Sequence, residues 1–475
     1  MKYKISIADA ANHFIKVEGI IEQAEEQILQ LQLPAWRPGR YELQNYAKNV
    51  RCFAITDAKG NNVPFKKISK DLWEIRLAAY DLPLVFSYEY YANQYDAGAS
   101  YTDDKLLYIN PINCLMYIVG KAAETFEIAL DVPNDYKIAS QLPLKNKMLC
   151  AKSFDELADS PFIASPSLQH STFNIQNSTF HFWFQGKHHI DTEQLKTDTV
   201  LYAEEQIEIF GEIPCKDYHF LYHILDRPFR HGVEHADSTV IVMGQGPDET
   251  DDEFYDSLLA ISCHELFHLW NIKRIRPAEM WPYDFTKENY STLGYVYEGI
   301  TTYYGDIILL RSGAWTWEQY FTSFNPDLAK HLNNPGRFNY SVAESSFDTW
   351  LDGYVSGIPA RKVSIYTEGM LAAMIADIRI IKNSSGKYSL DDVMRELYHE
   401  FYKKGKPYTE RDYKTLLEKY AGISFAKYFD EVIWGKGFIE KYLYESLKII
   451  GCNILHSRIV KNDGENNYFK TWSER

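Results

Sequence analysis

Residues 261–277 read ISCHELFHLWNIKRIRP and place two histidines and a glutamate within an otherwise apolar stretch. The apolar spacing predicts a helix over Asp251–Lys273. Residues four apart point from the same face of a helix, so His264 and His268 can bind one metal ion. Glu265 is turned aside by about 100°, which suits contact with a water molecule at the metal. The stretch therefore predicts a helical metal site, and the alternative is two core histidines satisfied by hydrogen bonds.

A catalytic zinc ion requires three protein ligands and one open position. The segment YVYEGITTYYGD offers Glu298, an isolated acid among aromatic residues, beside Gly299, where helices can pack closely. A buried acid needs a partner, and a metal is one. A solvated or salt-bridged glutamate is the alternative interpretation of Glu298.

Hydrolysis of an amide by a metal-activated water also needs a base and a donor for the developing oxyanion. Glu265 can be the base. Tyr366, at the start of the apolar helix in VSIYTEGMLAAMIADI, is a candidate donor, although it is only one of 36 tyrosines. Glu234 lies in HGVEHAD at the expected start of a strand. The residues alone suggest that Glu234 is a surface or turn residue.

Composition limits the class of protein and its partners. The net charge is −15, with acids spread along the chain, which argues against nucleic acid as a partner. The first 14 residues, MKYKISIADAANHF, lack the apolar core of a secretion signal, and no run is long enough to span a membrane. We therefore expect no membrane association and a cytoplasmic location, or a periplasmic one if a leader had been removed. The six separated cysteines favour reduced thiols over disulfides or a thiolate metal site.

Patterning predicts an α+β multidomain fold. Period-two runs with turn signals up to about residue 186 are typical of a β-sandwich-like domain. Helical spacing dominates after the metal stretch, over Thr292–Arg311, Trp315–Leu332, Tyr366–Lys382, Leu390–Lys403 and Glu410–Tyr420. The predicted divisions are an N-terminal β-sandwich-like domain at 1–170 and a zinc catalytic domain at 171–313. A C-terminal helical domain completing the cleft follows at 314–450, and a short tail at 451–475.

Several separated blocks resemble the glycyl aminopeptidase family of zinc metallopeptidases, which are distant relatives of aminopeptidase N with a thermolysin-like catalytic domain. The resemblance runs in order from about residue 30 to about residue 450. The blocks are LPAWRPGRYELQNYAKNV (33–50), DELADSP (155–161), HGVEHADST (231–239), HELFHLWNIKRIRP (264–277), YEGITTYY (297–304) and SLDDVMRELYHEF (389–401).

The resemblance implies one zinc ion bound by His264, His268 and Glu298, the pattern of a gluzincin. It also implies that Glu265 acts as general base and proton shuttle, and that Tyr366 stabilises the oxyanion.

The matching G-x-E-H segment implies that Gly232, Glu234 and His235 bind substrate, with Glu234 receiving the free α-amino group. The resemblance thus implies an aminopeptidase that acts on peptides with a free N-terminus and prefers Gly or Ala there. An extended substrate would add itself as an edge strand.

Three features depart from the family pattern. Glu368 stands where relatives often have lysine, and His231 stands where they often have a second glycine. Many members carry a PDZ domain, whereas the residues after Cys452 are too few for a complete one. The alternatives to an aminopeptidase are a zinc endopeptidase and a non-catalytic peptide-binding scaffold, while the oligomeric state is not predicted.

Overall fold

The computed structural model describes residues 1–23, 27–77, 82–462 and 466–474. Its contacts divide the chain into two compact units, each made of three segments. The first unit is Met1–His188, Cys215–Asp248 and Asp284–Glu288, and the second is His189–Pro214, Glu249–Tyr283 and Asn289–Arg475.

The first unit is rich in strands. They are β1 (Lys2–Asp9), β2 (Phe14–Ile21), β3 (Ile28–Gln32), β4 (Val50–Thr56), β5 (Phe65–Ser69), β6 (Leu72–Arg76), β7 (Leu84–Tyr91), β8 (Tyr101–Thr102), β9 (Leu107–Ile109), β10 (Tyr117–Ile118), β11 (Phe126–Asp131), β12 (Lys137–Ser140), β13 (Leu144–Lys145), β14 (Met148–Ala151), β15 (Phe162–Ser165), β16 (Gln169–Ile175), β17 (Ser178–Gln185), β18 (Asp217–Ile224), β19 (Phe229–Glu234) and β20 (Ser238–Gly244). Two short helices, α1 (Pro111–Cys114) and α2 (Phe154–Ala158), interrupt them.

These strands form four sheets. A seven-stranded sheet has the order β13-β14-β11-β1-β2-β7-β4, and two four-stranded sheets have the orders β10-β3-β6-β5 and β12-β15-β9-β8. Phe53 on β4 stacks 5.2 Å from Trp73 on β6, so aromatic rings join the seven-stranded sheet to a four-stranded one. Stacked rings of this kind bury large apolar area between two sheet faces.

The remaining sheet has five strands in the order β16-β17-β18-β20-β19, so β19 lies at its edge. Strand β19 pairs antiparallel with β20, from Phe229 opposite Gly244 to Glu234 opposite Thr239. Glu234 is therefore the last residue of an edge strand. The expectation that it begins a strand is wrong, because β19 starts five residues earlier and a turn separates it from β20.

The second unit is largely helical. Its longer helices are α3 (Thr192–Phe210), α4 (Asp251–Phe267), α5 (Ile300–Arg311), α6 (Trp317–Asn333), α9 (Ile365–Asn383), α11 (Glu410–Ala421) and α13 (Ile439–Ile449). Shorter helices are α7 (Val342–Phe347), α8 (Thr349–Asp352), α10 (Leu390–Glu396), α12 (Ala426–Tyr428) and α14 (Asn467–Ser473), and β21 (Cys452–Leu455) pairs with β22 (Arg458–Lys461).

Helix α4 begins with a complete capping box. Thr250 accepts from the backbone N–H of Glu253, and the Glu253 side chain accepts from the backbone of Thr250. Asp251 and Asp252 add negative charge at the positive end of the helix dipole. The sequence prediction of the helix start is correct.

The same helix ends earlier than the apolar spacing predicts. The α-helix stops at Phe267, and the backbone N–H of Lys273 bonds to the carbonyl of His268 in a wider turn. The chain turns there because the His268 ring bonds to the carbonyl of Asn271, which directs that carbonyl back toward the helix end. Periodicity cannot reveal such a contact.

The predicted α+β multidomain class is confirmed, with a sheet-rich N-terminal part and a helical C-terminal region. The predicted domain bounds and the thermolysin-like description of the catalytic domain stay predictions. Among the helices that the structure describes, none is both long and apolar enough to cross a membrane.

Candidate active site

The last turn of α4 brings its two histidines to one point. Their spacing of four residues places the Nε2 atoms of His264 and His268 3.1 Å apart, with the ring planes at 82°. His268 is buried and caps the helix, whereas one edge of His264 retains some exposure. Two nitrogen atoms thus converge in a partly enclosed position.

The predicted third ligand reaches the same point from the neighbouring helix. Glu298 lies in a π-helical turn, Tyr295–Gly299, which runs directly into α5. Its Oε2 atom is 3.4 Å from Nε2 of His268 and 3.9 Å from Nε2 of His264. The glutamate is only 2% exposed, so the solvated interpretation of this residue is wrong.

The three donor atoms suit a tetrahedral metal ion. In a zinc site with bonds of about 2.0–2.1 Å, neighbouring donors lie about 3.3 Å apart. The three measured separations, 3.1, 3.4 and 3.9 Å, bracket that value. Nitrogen and carboxylate donors are also the types that zinc accepts. The residues present therefore fit a zinc ion with one position left open.

The hydrogen bond of His268 decides which of its nitrogens can bind a metal ion. Its Nδ1 atom donates to the carbonyl oxygen of Asn271 at 2.6 Å, since a carbonyl can only accept. In a neutral ring Nε2 is then the nitrogen with the free lone pair, and it faces the carboxylate of Glu298 at 3.4 Å. A metal ion at this point would bind both atoms and neutralise the buried carboxylate.

Burial also keeps the other imidazole in its ligand form. Burial lowers the pKa of His264 well below its ordinary value, and the neighbouring His268 lowers it further. Metal ions bind the neutral imidazole, so the lowered pKa keeps His264 available as a ligand at neutral pH.

Neighbouring helices hold α4 in place around the histidines. A Cβ atom built on Gly305 of α5 would lie 3.2 Å from Cβ of His264, which is tighter than most real contacts, so glycine favours this close approach. On another side, Gln206 of α3 donates to the carbonyl of Cys263 at 2.9 Å. These contacts limit the movement of the metal-facing turn.

Asn271 supports the site although sequence reasoning missed it. Its side-chain nitrogen donates to the Val296 carbonyl at 3.0 Å and lies 3.1 Å from Oγ1 of Thr301. Asn271 therefore connects His268 to the helix that carries Glu298. The sequence signal that could have identified it is a polar amide in an apolar segment, three residues after His268.

We predict that Asn271→Ala lowers zinc affinity by about 10- to 100-fold, the usual cost of losing a group that orients a ligand. The carbonyl of residue 271 would remain, but the side-chain bonds to Val296 and Thr301 that fix its position would be lost. Zinc affinity would be measured by competition with a chelator. Thr302→Ala is the control, because it removes a hydroxyl that donates to the backbone carbonyl of Glu298 at 2.9 Å. Equal affinities in wild type and Asn271→Ala would contradict this role.

The candidate base lies beside the ligands. Glu265 is 5% exposed, and one of its carboxylate oxygens lies within 4.8 Å of a ring nitrogen of His268. It directly follows His264 in the helix, so its side chain leaves the helix about 100° away from that of His264. A buried carboxylate at this distance can reach a water molecule in the site.

A glycine contact brings the helix of Tyr366 against that of Glu298. A Cβ atom on Gly299 would lie 2.3 Å from Cα of Gly369, so the two backbones touch. Glu298 directly precedes Gly299. The half-buried Tyr366 lies about one helical turn before Gly369. The first turn of α9 therefore lies against the π-helical turn that carries Glu298.

The predicted substrate-binding residues belong to the first unit. Glu234 is 6% exposed, so the surface interpretation is wrong. Its carboxylate lies against Gly39, where a Cβ would be 2.7 Å from Oε2 and where φ is +76°. The positive φ favours glycine at this position, and a Cβ there would displace the Glu234 carboxylate.

Asp159 organises the turn that follows Glu234. Its Oδ1 atom is 3.0 Å from Nδ1 of His235, and Oδ2 accepts from the backbone N–H of Ala236 at 2.9 Å. The His235 ring is therefore held by a carboxylate. Sequence reasoning assigned no role to Asp159 or Gly39, although Asp159 lies in the block DELADSP and Gly39 lies in the WRPGR part of the first block. A substrate-binding role for Gly232, Glu234 and His235 stays a prediction.

Two family models match the chain. Residues 2–166 match the Peptidase M61 N-terminal domain, and residues 257–372 match M61 glycyl aminopeptidase. A comparison with curated proteins found no match.

Several solved structures are similar to this chain. An aminopeptidase N family protein from Idiomarina loihiensis has 28% identity and a TM-score of 0.89, covering 95% of this chain and 78% of its own. An M1 zinc metallopeptidase from Deinococcus radiodurans has 13% identity and a TM-score of 0.54, covering 94% and 92%. Aminopeptidase A from Legionella pneumophila, solved with aspartic acid, has 12% identity and a TM-score of 0.53, covering 92% and 49%. The last two show a shared fold.

Proposed function

Because the chain belongs to the M61 glycyl aminopeptidase family and is a metallo-aminopeptidase, we propose that it removes the N-terminal residue of peptides at one zinc ion held by His264, His268 and Glu298. The convergence of these three donor atoms at 3.1–3.9 Å is the observation that carries the proposal. A bound zinc ion supplies a Lewis acid that polarises the scissile carbonyl and lowers the pKa of water.

Glu265 acts as general base and proton shuttle. Its buried carboxylate takes a proton from the attacking water and delivers it to the leaving amine, so the residue serves both halves of the reaction. Burial supports this role, because an unsolvated carboxylate is a stronger base than one in water.

Tyr366 donates its phenolic hydrogen to the oxygen that gains negative charge when water adds to the carbonyl. The position of the tyrosine in the first turn of α9 supports the role, because the Gly299–Gly369 contact holds this turn against that of Glu298. A donor already fixed in place needs no reorganisation as charge develops.

Glu234 binds the free α-amino group of the substrate. A buried carboxylate at the end of an edge strand suits this role, since an extended peptide can pair with such a strand while its ammonium meets the acid. Recognition of the amino group makes the enzyme an exopeptidase. We further propose a preference for Gly or Ala as the N-terminal residue.

A panel of aminoacyl anilides tests this function: Gly and Ala against Leu, Arg and N-acetylated Ala, each with and without a chelator. We expect turnover of Gly and Ala substrates only, and loss of that turnover when zinc is removed.

Glu234→Gln should lower kcat/KM for the free Ala substrate at least about 30-fold, the cost of an unpaired buried charge. Equal turnover of blocked and free Ala would instead indicate an endopeptidase.

A further inference from the structure

A buried histidine and a buried glutamate face each other behind the first turn of α9. Nδ1 of His331, on α6, lies 2.5 Å from Oε1 of Glu368, and the two side chains are 0% and 6% exposed. Neither residue has a part in the chemistry described above. Burial of an ionisable pair is costly, so its presence needs an explanation.

The pair belongs to a double contact between two helices. Asp327 and His331 are four residues apart and share one face of α6. Asp327 accepts from the hydroxyl of Thr367 at 3.2 Å, while His331 bonds to Glu368. Helix α6 thus holds two consecutive residues of α9, directly after Tyr366.

Two contacts to consecutive residues restrain rotation as well as position. Each helical residue turns by about 100°, so Glu368 projects about 200° from Tyr366, on nearly the opposite side of the helix. A helix held at Glu368 cannot rotate about its axis without breaking the bond to His331. Because Tyr366 lies on the same rigid turn, its direction is fixed as well.

Charged groups also lie on the Nε2 side of the His331 ring. Nε2 of His331 lies 3.7 Å from Oε1 of Glu440 on α13, and that oxygen accepts from Nε of Arg337 at 2.7 Å. Arg337 also donates to the Asn334 carbonyl at 2.8 Å. The ring is therefore aligned by groups on both of its nitrogen sides.

We propose that His331 and Glu368 form a positioning pair that aims Tyr366 at the reacting carbonyl, an inference that rests on the proposed role of Tyr366. The pair does not touch substrate. It sets the rotation of the first turn of α9, and through it the direction of the tyrosine hydroxyl.

A double-mutant cycle on Ala anilide tests the inference, using Glu368→Leu, Tyr366→Phe and the double variant. Leucine removes the oxygen that accepts from His331, so we expect Glu368→Leu to lower kcat about 10- to 100-fold, the cost of a misdirected catalytic group, with KM unchanged. In the Tyr366→Phe background the same change should have no further effect, because no hydroxyl remains to be aimed.

Two comparisons at position 331 separate positioning from packing. In His331→Asn the amide nitrogen stands near the place of Nδ1 and can donate to Glu368, so kcat should stay close to that of wild type. His331→Leu has a similar volume without a donor, and it should reproduce the loss seen in Glu368→Leu. Zinc content and thermal unfolding show whether each variant is folded and loaded.

Glu396→Leu is the matched control, because this half-buried glutamate bonds to Tyr420 at 2.6 Å on another pair of helices. Its kcat should be unchanged. Equal losses from Glu368→Leu in both backgrounds would overturn the positioning role while leaving that of Tyr366 intact. An unchanged kcat in Tyr366→Phe alone would overturn both the oxyanion role and this inference.

Discussion

Glu265→Gln is expected to lower kcat by about 100- to 10,000-fold while the protein keeps its zinc. Glutamine has nearly the same shape as glutamate, so the buried side chain can remain in place. The amide cannot accept a proton from water at neutral pH. The variant therefore removes proton transfer and little else.

The measurement pairs steady-state kinetics on Ala anilide with the zinc content of the same preparation. Glu396→Gln makes the same chemical change on a helix that carries no proposed site residue, and we expect it to match wild type in both values. A Glu265→Gln variant with full zinc and near-normal kcat would rule out the proposed base. A loss of zinc would show instead that Glu265 maintains the ligand geometry.

Glu298→Ala should lose both zinc and activity. It removes one of three donors and leaves a gap beside His268, whose Nε2 atom is 3.4 Å from the missing oxygen. The loss of zinc affinity should exceed the roughly 10- to 100-fold expected when an orienting group is removed. Activity should fall in parallel, since no bound metal remains to polarise the substrate.

Zinc retained after dialysis, measured per chain, tests this prediction, with thermal unfolding as a check on the fold. Glu298→Gln is an informative partner variant, because it keeps an oxygen donor without the charge and should bind zinc with intermediate affinity. Stoichiometric zinc in Glu298→Ala would place the metal elsewhere in the chain. A protein that binds peptides equally with and without zinc, and never hydrolyses them, would be the scaffold rather than the enzyme.

Most helices of the second unit could be predicted closely. The predicted helices Trp315–Leu332 and Glu410–Tyr420 correspond to α6 at Trp317–Asn333 and α11 at Glu410–Ala421. Both have strong caps and clear apolar stripes, which are local signals. Leu390–Lys403 was less accurate, because the α-helix gives way to a π-helical turn after Glu396. Such turns depend on packing around them and have no sequence period.

In the candidate site, too, local signals were predictable from the sequence and features that depend on packing were not. Spacing identified His264, Glu265 and His268, because one helix carries all three and its geometry follows from the chain itself. Glu298 lies thirty residues beyond His268, and its burial and approach depend on a π-helical turn that packs against α9. Glu234 had the least local signal, since burial of an acid at a strand end depends on the residues around it.

By itself the sequence determined the α+β organisation, the start of the metal helix and the two histidines that share its face, because these follow from periodicity, capping and the helical repeat. Only the tertiary structure decided that a carboxylate joins them at tetrahedral distances, that Asn271 orients His268, and that α6 holds the turn bearing Tyr366. The physical reason is that donor convergence, burial and close backbone approach are properties of segments distant in the chain. They arise only when those segments pack together.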